Sequence, residues 1–254
     1  MRFLYLSFLV LLLSSPAFAQ YNAGGTQFYI GPKASINAAR YTPAKNTPDL
    51  PSAYKNKLGF GAGFMYKFRV TDLISLHGEF NYIRKSRSVI DSTIVTEYQN
   101  FHLDTPILFE ISFPAKLPRI GKFEYFFNAG PQLSYWISGK GNTQFEDNPE
   151  QASSNYAVNL NTENINRLQF GIIFGAGMTL PSVGDNYFVV EARYSFYQTH
   201  LGEKYVTTLG DFTHIDDLRG NYNVLSLSVA YTFGLNFMPS SQKNKGMKVK
   251  TVVQ

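Results

Sequence analysis

Cysteine is absent from the 254-residue chain. That excludes disulfides, thiolate metal sites and a lipid-modified N-terminal cysteine. Charge is scarce as well: Asp, Glu, Lys and Arg make up 16%, against about 25% in an ordinary soluble domain. The formal net charge is only +5, and the cations form no stripe interleaved with aromatics, so nucleic acid is not an expected partner. Tryptophan occurs once, beside 17 Tyr and 22 Phe. Beyond the N-terminus no window holds about 18 uninterrupted apolar residues, which excludes helical membrane spans.

What is present begins with an export signal. Arg2 supplies a positive charge, residues 3–13 are apolar apart from Ser7, and Pro16 precedes Ala17-Phe18-Ala19, the small-x-small form that a signal peptidase cuts. The apolar run is too short to cross a bilayer, which takes about 20 residues. Residues 1–19 are expected to be removed, leaving Gln20 as the first residue.

The rest alternates with period two. In the last such stretch, YNVLSLSVAYTFGL (222–235), Leu225, Leu227, Val229, Tyr231, Phe233 and Leu235 share one face; Ser226, Ser228, Ala230, Thr232 and Gly234 share the other. Bulky apolar groups facing lipid and small groups facing a crowded interior suit a narrow barrel. The pattern recurs at 26–37, 58–70, 74–84, 94–113, 122–138, 167–180 and 187–197, which predicts eight strands and an all-β, eight-stranded antiparallel up-and-down transmembrane barrel over residues 20–237. Residues 238–254 read as a polar basic tail, with Lys243, Lys245, Lys248 and Lys250, on the periplasmic side. Long or polar connections (38–57, 85–93, 139–166, 198–221) alternate with short turns, as in outer-membrane barrels. A soluble calyx would carry its charges outward instead, and here the non-apolar face is mostly Gly, Ser, Thr, Asn and Gln.

The segments ISLHGEFNYIRKS (74–86), FHLDTPILFEISF (101–113), FFNAGPQLSYWISGK (126–140), FGIIFGAGMTL (170–180) and FVVEARYSF (188–196) together resemble the PorT-type outer-membrane β-barrel family of Bacteroidetes. The resemblance implies an integral outer-membrane barrel. It also implies, for some members, a part in protein secretion across the outer membrane by the type IX system.

The inward faces carry Lys67, Arg69, Glu79, Glu110, Glu124, Glu191 and Arg193. Charges in so narrow a space must be paired, so these residues are expected to form a structural network that fills the lumen rather than a catalytic or ion-conducting site. If the turn after residue 180 pairs Thr179 with Tyr187, Gly175 stands opposite Glu191 and Ile173 opposite Arg193. His77 and His102 face inward as hydrogen-bonding residues. Asp211, His214, Asp216 and Asp217 read as a solvated loop cluster rather than a cation site. His200, just after a strand, is the one candidate for a lipid-modifying enzyme, but no acid–His pairing singles it out. The expectation is therefore a non-enzymatic protein without cofactor or metal. Its partners would be the outer-membrane bilayer and possible secretion-machinery proteins.

Overall fold

The computed structural model describes residues 27–43, 53–91, 94–117, 121–145, 154–160, 165–209 and 212–236. The expected leader 1–19 and the tail 238–254 lie outside them. Eleven strands follow one another: β1 (Gln27–Pro43), β2 (Ala53–Arg69), β3 (Ile74–Asp91), β4 (Ile94–Leu117), β5 (Gly121–Phe145), β6 (Ser154–Ala157), β7 (Leu168–Pro181), β8 (Tyr187–Tyr197), β9 (Lys204–Leu209), β10 (Phe212–Asp217) and β11 (Gly220–Asn236). Eight of them close into a ring in the order β4-β3-β2-β1-β11-β8-β7-β5, with β5 pairing back onto β4. All these pairings are antiparallel. Closure gives each of the eight ring strands a partner on both sides and leaves the ring no free edge, the requirement for a sheet surrounded by lipid. The eight strands read from alternation are these eight.

Their faces follow the side chains. On β11, Leu225, Leu227 and Val229 are about half exposed on the outside, while Ser228 and Ala230 are buried inside. Phe60 and Phe64 of β2, Phe80 of β3, Phe109 of β4, Phe127 of β5, Phe170 and Phe174 of β7 and Phe188 of β8 continue the same outward apolar belt around the ring. Val70–Leu73 join β2 to β3, and residues 182–186 join β7 to β8. Both termini of the ring, Gln27 and Asn236, pair with each other at this end.

The structure corrects the extent of several elements. Residues 85–91, expected to be loop, continue β3 and pair with 94–100 of β4. The expected loop 139–166 contains the end of β5 and all of β6, and 198–221 contains the β9–β10 hairpin. At 24 and 25 residues, β4 and β5 far exceed the roughly 9–11 residues that a tilted strand needs to cross a bilayer. The excess lies at the end opposite the short turns. There the wall leaves the apolar belt, its outward residues turn polar, and a polar run no longer signals a loop.

The register between β7 and β8 is also corrected. Thr179 pairs with Val189 and Pro181 with Tyr187, so Gly175 stands opposite Arg193 and Gly177 opposite Glu191. The turn is two residues shorter than a Thr179–Tyr187 pairing requires. A slip of two leaves every side chain on its own face, which is why alternation alone did not resolve it.

Two substitutions on β11 test the assignment of faces. Val229→Arg sets a guanidinium against lipid and is expected to cost about 2–4 kcal/mol near the bilayer midplane. Ala230→Leu overfills the interior beside Met65, Phe126 and Val189 and is expected to cost about 1–3 kcal/mol. Denaturant titration in phosphatidylcholine vesicles reads both; a neutral Val229→Arg would reverse the faces.

Candidate functional site

The inward faces bring together most of the charge the barrel holds. Arg193 of β8 donates from Nη1 and Nη2 to Oε2 and Oε1 of Glu79 on β3, both at 2.7 Å. In the ring these two strands stand directly opposite each other. The planar fork of arginine matches a carboxylate in two parallel bonds, so one pair spans the lumen and fixes its orientation. Lys33 of β1 donates to Glu79 Oε1 at 2.8 Å and to Glu191 Oε2 at 3.3 Å. Arg193 Nε lies 2.5 Å from Glu191 Oε1. Asn81 and Asn128 donate to the remaining lone pairs of Glu79 and Glu191, at 2.7 and 2.6 Å. An ideal Cβ at Gly175 would stand 2.8 Å from Glu191 Oε1 and 2.9 Å from Arg193 Cγ. The glycine is the space into which this group packs.

One layer toward the short turns, Lys67 pairs with Glu110, which also accepts from Ser112 Oγ at 3.0 Å. His77 links the layers: its Nε2 is 2.7 Å from Glu79 Oε1 and its Nδ1 is 3.6 Å from Glu110 Oε2. Arg69 and Glu124 form a separate pair, 2.5 Å apart, at the less enclosed rim. The seven charged residues expected to interact thus fall into a connected central group and this rim pair.

Sequence reasoning missed a second group above the first. Asp104 of β4 accepts from Ser134 at 2.5 Å, from Gln132 and Tyr197 at 2.7 Å, and from Lys85 at 3.1 Å. Lys85 Nζ also reaches Tyr197 Oη at 2.8 Å, from β3 to the opposite strand β8. Lys85 was lost to the supposed loop, although it continues the odd phase of Ser75, His77 and Glu79. Lys33 does not show on the apolar face of its strand, but its odd position between Pro32 and Ala34 places it inside. With both included, Glu79, Glu110, Glu124, Glu191 and Asp104 meet Lys33, Lys67, Arg69, Lys85 and Arg193 one for one.

His102 rests against Ser134 Oγ at 3.1 Å and stacks on Trp136, the ring centroids 5.9 Å apart. The acid here touches the serine and not the imidazole. In a nucleophile relay the histidine stands between them. Above this layer buried apolar side chains cluster at the mouth. Leu160, Leu201 and Leu218, from connections between strands, pack with Trp136, Tyr197 and Tyr222. The Arg87 guanidinium lies over the rings of Tyr41 and Tyr98, at 4.4 and 4.7 Å.

His200 is outside the lumen. With Thr42, Gln198 and Asn223 it borders a groove of about 620 Å³ on the outer wall, where Ile172, Phe174 and Phe196 form the apolar side. His214, Asp216 and Asp217 fall on β10, and Asp211 lies outside the described residues. Among the described residues no group of three or more His, Asp or Glu is placed to hold a metal ion.

The family model for the outer membrane protein beta-barrel domain matches residues 18–196. No curated protein matches the chain. Among solved structures the chain is similar to Neisserial surface protein A, at 14% identity over 81% of this chain and 97% of that one, with a TM-score of 0.40. It is also similar to the outer membrane protein OprG from Pseudomonas aeruginosa, at 9% identity over 84% and 96%, with a TM-score of 0.45.

A double-mutant cycle tests the bond across the lumen. Glu79→Ala and Arg193→Ala each leave the buried network one charge out of balance, although Glu191 still meets Arg193 and Lys33 still meets Glu79, and are expected to cost up to about 3–5 kcal/mol. The double variant should lose clearly less than the sum. Additive losses in vesicle unfolding would show that the pair does not interact.

Proposed function

The chain belongs to the outer membrane protein beta-barrel domain family, and on that premise we propose that it is a non-enzymatic barrel with a sealed lumen, acting through its extracellular end on partners outside the bilayer. The protein is an integral protein of the outer membrane, and its apolar belt faces the lipid. The observation that carries the reading is the stack of paired charges under an apolar cap: Arg193 to Glu79, Lys85 to Asp104, and Trp136 with Leu160, Leu201 and Leu218 above them. Eight strands leave room for side chains and little else, so the seven charged residues read from the sequence serve as a structural plug. The surface left for interaction is the wall that β3, β4, β5 and β6 raise beyond the belt.

Residues 1–19 serve as the cleaved signal peptide and 238–254 as a basic periplasmic tail. The narrower resemblance to the PorT-type proteins of Bacteroidetes supports an accessory part in type IX protein secretion as the specific form of this role.

Two measurements test the proposal. In planar bilayers the full mature protein is expected to show negligible conductance; a steady open channel would overturn the sealed lumen. A photo-crosslinker at Gln144, on the extracellular wall, is expected to trap an envelope protein in intact cells. Capture of a secretion-machinery component would support the narrower role. Crosslinks to lipid alone would remove partner binding from the proposal.

A further inference from the structure

The outside of the wall changes character just above the apolar belt. On β3 the exposed Tyr82 gives way to Arg84, on β4 Phe101 to Gln99 and on β5 Ile137 to Lys140, and Arg167 stands immediately before β7 and its exposed Leu168. A β-bulge between Phe101 and His102 sits at this level in the β4–β5 ladder. Above it the buried residues of β5 are Gly139 and Gly141, so Lys140 and Asn142 face outward.

Two of these cations are built into the belt's upper edge. The Arg84 guanidinium lies 4.4 Å over the ring of Phe60, and the Arg167 guanidinium lies 4.8 Å over Tyr135 while Nε donates to the Trp136 carbonyl at 3.1 Å. An arginine whose guanidinium stacks on an aromatic at the upper edge of the belt keeps its in-plane N–H donors at headgroup level. Lys57, 2.6 Å from Glu97, neutralises that carboxylate. Beside Lys140, a groove of about 230 Å³ is lined by Glu97, Gln99, Asn142, Gln144 and Asn155. The opposite rim differs: among the described residues its exposed charges are balanced, Lys116 and Lys122 against Asp72 and Asp185.

We propose that the β3–β7 arc above the belt binds the phosphorylated sugar headgroup of an outer-leaflet glycolipid. Arg84, Lys140 and Arg167 take the phosphate oxygens in charge-assisted hydrogen bonds. The amides of Gln99, Asn142 and Asn155 both donate and accept, as sugar hydroxyls do. The acyl chains lie on Tyr82, Phe101 and Ile137 directly below. Continuity with the lipid-facing belt and the sign of the charge select a lipid phosphate. Asn142 Nδ2 donates to Asn155 Oδ1 at 2.8 Å, and the groove that this amide pair shares with Gln99 favours a sugar headgroup, which offers more hydroxyls than glycerol. The inference rests on the reading of the belt as lipid-facing.

The test uses the mature full-length protein folded into phosphatidylcholine vesicles that contain either diphosphoryl lipid A or phosphatidylglycerol at equal phosphate charge. The readouts are thermal unfolding and lipid retained in native mass spectrometry. Lipid A is expected to raise the unfolding temperature above phosphatidylglycerol and to stay bound. The triple variant Arg84→Gln, Lys140→Gln, Arg167→Gln should unfold at a somewhat lower temperature in phosphatidylcholine alone, from the lost ring and carbonyl contacts, and, measured against that baseline, lose the added stabilisation by lipid A and retain it about tenfold less well. Should that variant not fold, Lys140→Gln with Asn142→Ala, both above the belt, is expected to lose retention in the same direction. Equal stabilisation by the two lipids, or undiminished retention in the variants, would overturn the proposal. A wild-type protein that does not fold into phosphatidylcholine at all would instead overturn the lipid-facing belt.

Discussion

The width of an eight-stranded ring is the constraint on which everything else in this protein depends. Its interior accommodates side chains and almost no water, so a charge that points inward must find its counter-charge on another wall. The bonds that result run across the barrel. Glu79 to Arg193 and Lys85 to Tyr197 join β3 to β8, and Asn100 to Tyr222 joins β4 to β11. In the ring order each of these pairs lies on directly opposite strands. A hydrophobic filling of equal volume would be as stable or more so. It would not distinguish one strand register from another displaced by two residues, since both keep apolar groups outward. A bidentate Arg–carboxylate bond does, because a shift of two residues carries the partners several ångströms apart. On this argument the buried charges specify the ring's stagger as much as they fill it.

The same degeneracy sets what could be read from the amino-acid order. The face of each strand was legible throughout the belt, because lipid on one side and a crowded lumen on the other impose opposite demands on successive residues. Strand count and closure followed from that alternation and from the sorting of short turns to one end. Register was not legible to better than two residues, and the β7–β8 pairing shows it: Gly175 faces Arg193, one pair away from the expected Glu191. Charged residues flanked by apolar alternation, such as Glu191 and Arg193, were visible as lumen residues. Lys85 was not, because its neighbours Arg84, Ser86 and Arg87 are polar and the apolar signal had ended.

That signal ended where the lipid ends. Beyond it the strand no longer needs a greasy outer face, and alternation survives only in what is buried. Lys85, Arg87 and Val89 continue inward on β3 while Tyr82 and Arg84 mark the change on the outside. Register shifts fall at this level in two ladders, between Lys57 and Gly61 on β2 and between Phe101 and His102 on β4. A bulge bends the strand and changes which residues face out, which lets β5 present Lys140 and Asn142 outward directly after a belt that used odd positions. The boundary between membrane and water is therefore written into the backbone as well as into composition.

Sealing the interior has a consequence for where chemistry can occur. Ser134 touches both Asp104 and His102, yet all three lie beneath the cluster of Trp136, Leu160, Leu201 and Leu218, and Asp104 is already bonded to Lys85, Gln132 and Tyr197. A reacting group would have to displace a fully bonded neighbour and open the apolar cap at the same time. Each of those steps opposes the bonding that holds the ring in register. Stability and an open lumen are thus in direct conflict in a barrel this narrow. The residues free to meet a ligand are those the conflict does not touch, on the outside of the wall above the lipid.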